Sequence, residues 1–257
     1  QPYRGCSYGK SLCGVGCYVQ HNRLLTRGRP WGGFLEARVN AAEVYAKQYE
    51  TERAWTRRRS MPFCIFCSSA TDPFVPQERR LRITASVLRA MLDAPPDSLI
   101  LQSHSHHSLD ALAILEELAR RCDVRVHLSV ETDRERIEGL PPPASSVARR
   151  FAAAKQFKEN GIRTVITVAP LLPIKDPAGF FQRVEDCADA VVIDHFIEGD
   201  GSKDGARTRK TALPEAIQLV QPGSERLAYR DAMVEVAMDV MPGRVGVSNE
   251  GFAGRFR

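Results

Sequence analysis

The sequence predicts an α/β protein built on parallel strands, with a barrel or partial barrel favoured over a doubly wound sheet. Three observations lead there. Short apolar runs alternate with amphipathic stretches about six times, the connections are too long for hairpins, and no glycine-rich turn follows the first strand. In either architecture the chemistry belongs at the carboxyl ends of the strands.

The elements follow in order. After a cysteine-rich start, residues 34–40 read as a strand and 41–49 as the helix after it. Residues 61–67, Met-Pro-Phe-Cys-Ile-Phe-Cys, form an apolar run short enough for a buried strand. Thr71-Asp-Pro-Phe-Val-Pro76 is turn chemistry, since each proline disfavours helix in the residue before it. A helix is expected over 78–92, with Leu81, Ile83, Val87, Leu88 and Met91 on one broad face. Strands are then expected over 98–102, 124–130, 163–168 and 190–193. Helices over 109–121, 147–160 and 177–186 separate them, and a proline-rich loop spans 140–144. A long polar loop over 198–212 precedes a final helix at 228–241.

At 257 residues, 43% hydrophobic and 26% charged, the composition suits a globular core. No apolar run approaches the ~18 residues of a transmembrane helix. Gln1 opens the chain without methionine or a charged-then-apolar leader, so it is expected to lie inside a longer reading frame, with any signal peptide absent or removed. The charge balance, 36 basic less 31 acidic residues, is +5, too weak by itself to indicate nucleic acid. The densest basic cluster, Arg53, Arg57, Arg58 and Arg59 around Trp55, reads first as a solvated helix end or loop and second as a phosphate patch.

Seven cysteines are odd in number and unevenly spaced. That is a poor disulfide framework and fits a reducing cytoplasm better. Cys6, Cys13 and Cys17 lie in a loop rich in glycine, which allows close backbone approach. By spacing alone they could ligate three irons of a [4Fe–4S] cluster, hold zinc, or stay unligated. Cys64 and Cys67 form a Cys-x-x-Cys pair, but on a strand they point to opposite faces and read as core thiols. His104, His106 and His107 cluster beyond a strand end. A polar loop, a contact to substrate or cofactor, and a second metal site all remain open there.

The surroundings of the cysteines narrow the choice. Gln1-Pro-Tyr-Arg-Gly-Cys6 and Cys17-Tyr-Val19 resemble the cluster loop of radical S-adenosylmethionine (SAM) enzymes, in the spore photoproduct lyase-like or "DNA repair photolyase" branch. The resemblance continues through residues 37–43, Ser68 to Glu78, residues 126–132, 149–154 and 161–173, and ends at residues 251–255. The Thr-Asp-Pro-x-x-Pro-x-Glu segment and the triple-cysteine loop are its specific parts. It implies a partial (β/α)6 TIM-like barrel of radical SAM type, with residues 1–20 as the cysteine loop, a barrel over about 34–242 and a tail over 243–257.

The resemblance also implies a chemistry. Cys6, Cys13 and Cys17 would hold a [4Fe–4S] cluster whose open iron binds S-adenosylmethionine. Reductive cleavage would give a 5′-deoxyadenosyl radical that takes hydrogen from a substrate; the cofactor does the hard step and the protein positions it. Thr71 and Asp72, at the second predicted strand's end, would lie near the methionyl amino group. Ser129 and Glu131 would approach the ribose or carboxylate, Arg150 would pair with the carboxylate, and Val168 and Ala169 would flank adenine. Tyr18 and Ser103 belong to the same expected cofactor site. His104, His106, His107, Asp194 and His195 are the substrate candidates.

The sequence also departs from the family's pattern. The loop is Cys-x6-Cys-x3-Cys where the family has Cys-x3-Cys-x2-Cys. Gly16 replaces the aromatic residue before the third cysteine, and Gln102-Ser103-His104 replaces a Thr-Lys-Ser whose lysine approaches the SAM carboxylate. Ser69 stands about where spore photoproduct lyase has its hydrogen-donating cysteine, and no matched tyrosine pair is apparent. The favoured expectation is therefore hydrogen abstraction from an unidentified substrate, ahead of photoproduct repair on DNA. A non-catalytic zinc-loop protein binding nucleic acid through residues 53–59 is the rival of another class. An electron donor such as flavodoxin or ferredoxin is the expected partner, no membrane is, and the expected location is the cytoplasm.

Overall fold

The computed structural model describes residues 1–67 and 70–257. Its centre is a six-stranded, all-parallel sheet in simple sequential order. The strands are β3 (Cys64–Cys67), β4 (Ser98–Ser103), β5 (Asp123–Ser129), β6 (Arg163–Val168), β7 (Ala190–Ile193) and β8 (Val245–Val247). Ahead of them, β1 (Tyr3–Cys6) pairs antiparallel with β2 (Phe34–Ala37), Cys6 opposite Phe34. The sheet is not closed: β3 and β8 are its two edges, as in a partial TIM barrel.

The helices follow the strands. The cysteine loop carries α1 (Leu12–Gly16) and α2 (Arg23–Thr26), and α3 (Ala41–Arg57) leads into β3. Between β3 and β4 the chain forms α4 (Glu78–Leu81) and α5 (Ile83–Asp93), broken at Arg82, whose φ is 56°. Next come α6 (Leu112–Ala119) after β4, α7 (Val147–Glu159) after β5 and α8 (Pro177–Cys187) after β6. β7 is followed by α9 (Phe196–Gly199), α10 (Leu213–Val220) and α11 (Leu227–Val240); α12 (Ser248–Phe252) follows β8.

Alternation along each strand divides its side chains between two faces. Outward residues such as Leu99, Leu101, Val126, Leu128, Ile166, Val191 and Ile193 form one continuous core under α5, α6, α7, α8 and α11. The inward face is filled differently. Val165, Ala190 and Val192 pack against Phe252 and Phe256 from the chain's end. His127, 2% exposed, sits with Phe66 on one side and Phe252 stacked on the other. Arg257 closes this end by exchanging backbone hydrogen bonds with Val245.

Two expectations about the barrel's limits need correction. Residues 34–40 were expected to open the barrel, but Phe34–Ala37 pairs with Tyr3–Cys6 outside it. The apolar run followed by a helix mimics a β/α unit, yet its backbone bonds go to the cysteine hairpin. The sixth strand comes instead from Val245–Val247, inside the segment expected to be a tail. Between the 198–212 stretch and the last helix the chain also forms α10, with Pro214 in its first turn, where the missing N–H costs nothing.

In the basic cluster, Arg53 is paired with Asp97 at 2.6 Å and Arg59 stacks over Trp55. No helix among the described residues is long and apolar enough to cross a membrane.

Candidate functional site

The cysteine loop is fastened over the carboxyl ends of the parallel strands. Thr71 Oγ1 donates to the Gly5 carbonyl at 2.8 Å, tying the turn after β3 to the residue before Cys6. The Tyr8 hydroxyl donates to the Phe74 carbonyl at 2.8 Å, and the Leu12 amide to Pro142 O at 3.1 Å. Gly14 makes the loop compact: a Cβ there would stand 1.9 Å from the Tyr8 carbonyl oxygen. Cys6 ends β1, Cys13 lies in α1, and Cys17 terminates it.

These attachments roof a cavity of about 470 Å³. All three cysteines line it, together with Tyr18, Thr71, Asp72, His104, Glu131, Arg150, Ala169, Asp194 and His195. The thiols are free, and among the described residues no three His, Cys, Asp or Glu side chains are drawn into a ready metal-binding group. Their electrostatics are nevertheless coupled. Burial, reinforced by the charge of Cys13, pushes the Cys6 thiol up to about 12, and burial with Cys13 also raises Cys17. Three thiols lining one cavity resist ionising together unless a positive centre joins them. A soft, multiply charged iron centre suits that donor set.

Beside the thiols lies a buried polar cluster. Asp72 is oriented by the His104 amide at 2.7 Å, the Ser103 hydroxyl at 2.9 Å and the Phe74 amide at 2.8 Å. The His104 ring lies between Asp72, 3.7 Å away, and Glu131, 3.4 Å away. Burial pulls the His104 pKa down, but Cys13, Asp72 and Glu131 together lift it well above its ordinary value. Arg150, 1% exposed, donates through Nη1 to Glu131 at 2.6 Å and to the Ser129 carbonyl. Burial works against the Glu131 carboxylate, and Arg150 and His104 more than compensate, leaving its pKa lowered. Arg150 Nε and Nη2 are buried and have no hydrogen-bond partner among the described residues.

Five expected site residues fall elsewhere. Val168 packs into the outer core; adjacent strand residues face opposite ways, so it cannot flank the same group as Ala169. Ser129 Oγ bonds Thr167 Oγ1 at 3.0 Å beneath the cavity, and Ser103 acts through Asp72. The His106 ring turns to Ser145 and packs on His107, centroids 4.1 Å apart, and neither ring lines the cavity. Ser69 lies outside the described residues.

Other lining residues escaped the sequence reading. Leu213 of α10 approaches the spot where a side chain at Gly16 would project, 3.1 Å from that Cβ position. Tyr8, Phe66 and Phe252 also line the cavity. Of these, Tyr8 carried a signal, its place between Cys6 and Cys13; Leu213 and Phe252 are brought in only by the tertiary fold.

No protein-family model matches the chain, and no curated protein matches it in sequence. Solved structures do match. A double variant of spore photoproduct lyase with bound AdoMet and dinucleoside spore photoproduct has a TM-score of 0.58 and 15% identity, covering 95% of this chain and 74% of that one. A single variant with dinucleoside spore photoproduct gives 0.60 and 16% over the same shares. Another variant of that lyase gives 0.61 and 16%, also over 95% and 74%. The chain therefore has the fold of spore photoproduct lyase, a radical SAM enzyme.

Proposed function

We propose that this chain is a radical SAM enzyme. Cys6, Cys13 and Cys17 would hold a [4Fe–4S] cluster with S-adenosylmethionine beside it. The observation that carries the reading is the convergence of three cysteines on one cavity at the carboxyl ends of an open parallel barrel. When bound, the pair supplies reductive sulfonium cleavage and a radical that abstracts hydrogen.

The chain's own groups support this division of labour. Asp72, held by three donors, presents an acceptor suited to the methionyl ammonium. Arg150, with two unused N–H groups, is the donor for the methionyl carboxylate in place of the family's lysine. Leu213 supplies apolar surface beside Gly16, where the family has an aromatic residue. The roof formed by α1 and the 140–143 loop, joined by the Leu12–Pro142 hydrogen bond, would limit the access of water to the reacting groups. An electron donor such as flavodoxin or ferredoxin would serve the cluster from outside.

Anaerobic reconstitution with iron and sulfide analysis tests the proposal. About four irons per chain are expected, lost in Cys13→Ala. Fewer than about three irons, or unchanged loading in the variant, overturns it. A second reading, repair of a pyrimidine photoproduct, is favoured by the fold shared with a lyase solved with dinucleoside spore photoproduct. Thymidine restored from that dinucleoside faster than uncoupled SAM cleavage would establish it.

A further inference from the structure

The far wall of the cavity carries a carboxylate that the cofactor reading does not use. Asp194 follows β7 on the inward side and lines the cavity, yet it is only 8% exposed. Its Oδ1 accepts from the His195 amide at 2.9 Å and the Ser248 hydroxyl at 2.8 Å. Oδ2 accepts nothing from the protein among the described residues. Asp194 forms no ion pair there either: Arg230 is committed to Glu198 and Asp231, and Arg207 donates to the Asp200 carbonyl.

Gly199 keeps that oxygen open. A Cβ at this position would stand 2.5 Å from Asp194 Oδ2, and its three nearest neighbours would all be atoms of this carboxyl group. The charged surroundings are mixed: Arg230, reaching Ser248 at 3.4 Å, favours the carboxylate and Glu198 opposes it, but neither supplies a donor to Oδ2. Asp200, 1% exposed, also lines the cavity, but its oxygens are taken by Ser202 and Thr208. The neighbouring wall is apolar, formed by Leu12, Leu172, Phe196 and Leu213. Burial raises the Asp194 pKa, outweighing the Ser248 and His195 hydrogen bonds and the more distant Arg230, so a cation placed directly on Oδ2 would relieve a cost still present.

The geometry points to Asp194 Oδ2 as the substrate anchor, taking an ammonium or other cationic N–H donor carried on an apolar body, and rejecting a phosphodiester. The inference rests on the proposed function in treating this cavity as the reaction chamber. A cationic head would complete the open acceptor and neutralise the Asp194–Asp200 wall, while its body would lie along Leu172 and Leu213. A phosphate at Oδ2 would meet the Asp194 carboxylate, with Asp200 on the same cavity wall, while Arg230 is engaged by Glu198 and Asp231 and Arg150 belongs to the cofactor side. The cofactor's own ammonium has a separate acceptor in Asp72, and Glu131 of that cluster lies two strands away, about 10 Å across the sheet.

Calorimetry with three probes on the full chain tests this without requiring turnover: phenethylamine, phenylacetate and a thymine dinucleoside monophosphate. Phenethylamine is expected to bind the wild type with a Kd of about a millimolar, at least about tenfold tighter than either anion. Asp194→Asn and Gly199→Ala should each weaken it by about tenfold or more. Gly199→Ala crowds Oδ2 and obliges the carboxyl group or residue 199 to shift while keeping the negative charge, so it decides the matter if the asparagine variant does not fold. Either anion binding as tightly as the amine overturns the proposal, as does full amine affinity in a folded Asp194→Asn or Gly199→Ala. Displacement of the amine by S-adenosylmethionine would also overturn it, by assigning the carboxylate to the cofactor. Loss of the iron–sulfur reading would appear in iron content and leave these binding ratios untouched.

Discussion

The Tyr3 hydroxyl donates to the Glu78 carboxylate across 75 residues of sequence. The same carboxylate accepts the Thr84 and Ala85 amides at 2.9 and 3.0 Å, capping α5. One buried side chain thus joins the strand that ends in Cys6 to the first helix layer of the barrel. Removing it strands a hydroxyl and two amides. Glu78→Ala should cost about 3 kcal/mol and Tyr3→Phe about 1 kcal/mol. Urea unfolding of both variants checks this; a Glu78→Ala protein within about 0.5 kcal/mol of wild type contradicts the anchoring role.

The Arg150–Glu131 pair carries a different signature. Both side chains are buried, so Arg150→Met should leave the Glu131 carboxylate with His104 as its one remaining charged partner among the described residues and cost about 3 kcal/mol. Pairing it with Glu131→Leu should restore much of the loss, because the charge to be solvated is gone. A double variant less stable than Arg150→Met would show that the pair is not the source of the effect.

His127 makes the fold sensitive to acid. Burial, with Arg125 and Arg163 nearby, lowers its pKa from 6.5 to about 3. Between those values the unfolded chain binds a proton that the folded chain refuses, so stability falls as pH drops from about 6.5 towards 3. This group's slope should reach about 1.4 kcal/mol per pH unit. His127→Phe keeps the ring contacts to Phe66 and Phe252 and should flatten the wild-type profile in that window. Identical profiles for the two proteins would refute the assignment.

Gly14 ties loop geometry to metal retention. Because a Cβ there meets the Tyr8 carbonyl at 1.9 Å, Gly14→Ala must move backbone between Cys6 and Cys13. The variant should retain less than about half the wild-type iron after reconstitution and desalting, while barrel stability changes by less than about 1 kcal/mol. Full iron retention would mean that the loop adapts freely.

Much of this architecture was legible in the sequence because parallel strands buried on both faces read as short apolar runs. The strands over 98–102, 124–130, 163–168 and 190–193 are of that kind. Phe34–Ala37 carries the same local signal, and only pairing partners distinguish a hairpin strand from a barrel strand. Val245–Val247 is too short for periodicity to register, and Pro214 disguises a helix start as a break. At the site, residue type singled out Asp72, His104, Glu131, Arg150 and Asp194. Side-chain direction was less legible: Val168 follows from strand alternation once β6 is fixed, whereas His106 and His107 depend on a 3-10 turn that carries them towards Ser145.

Cys6, Cys13 and Cys17 are proposed to support reductive SAM cleavage in this cavity. The most direct test is chromatography of an anaerobic incubation of the reconstituted protein with S-adenosylmethionine and dithionite, beside the Cys13→Ala variant. 5′-Deoxyadenosine is expected from the wild type, and none above background from the variant. A wild type loaded with about four irons that yields no 5′-deoxyadenosine, or equal yields from both proteins, would contradict it.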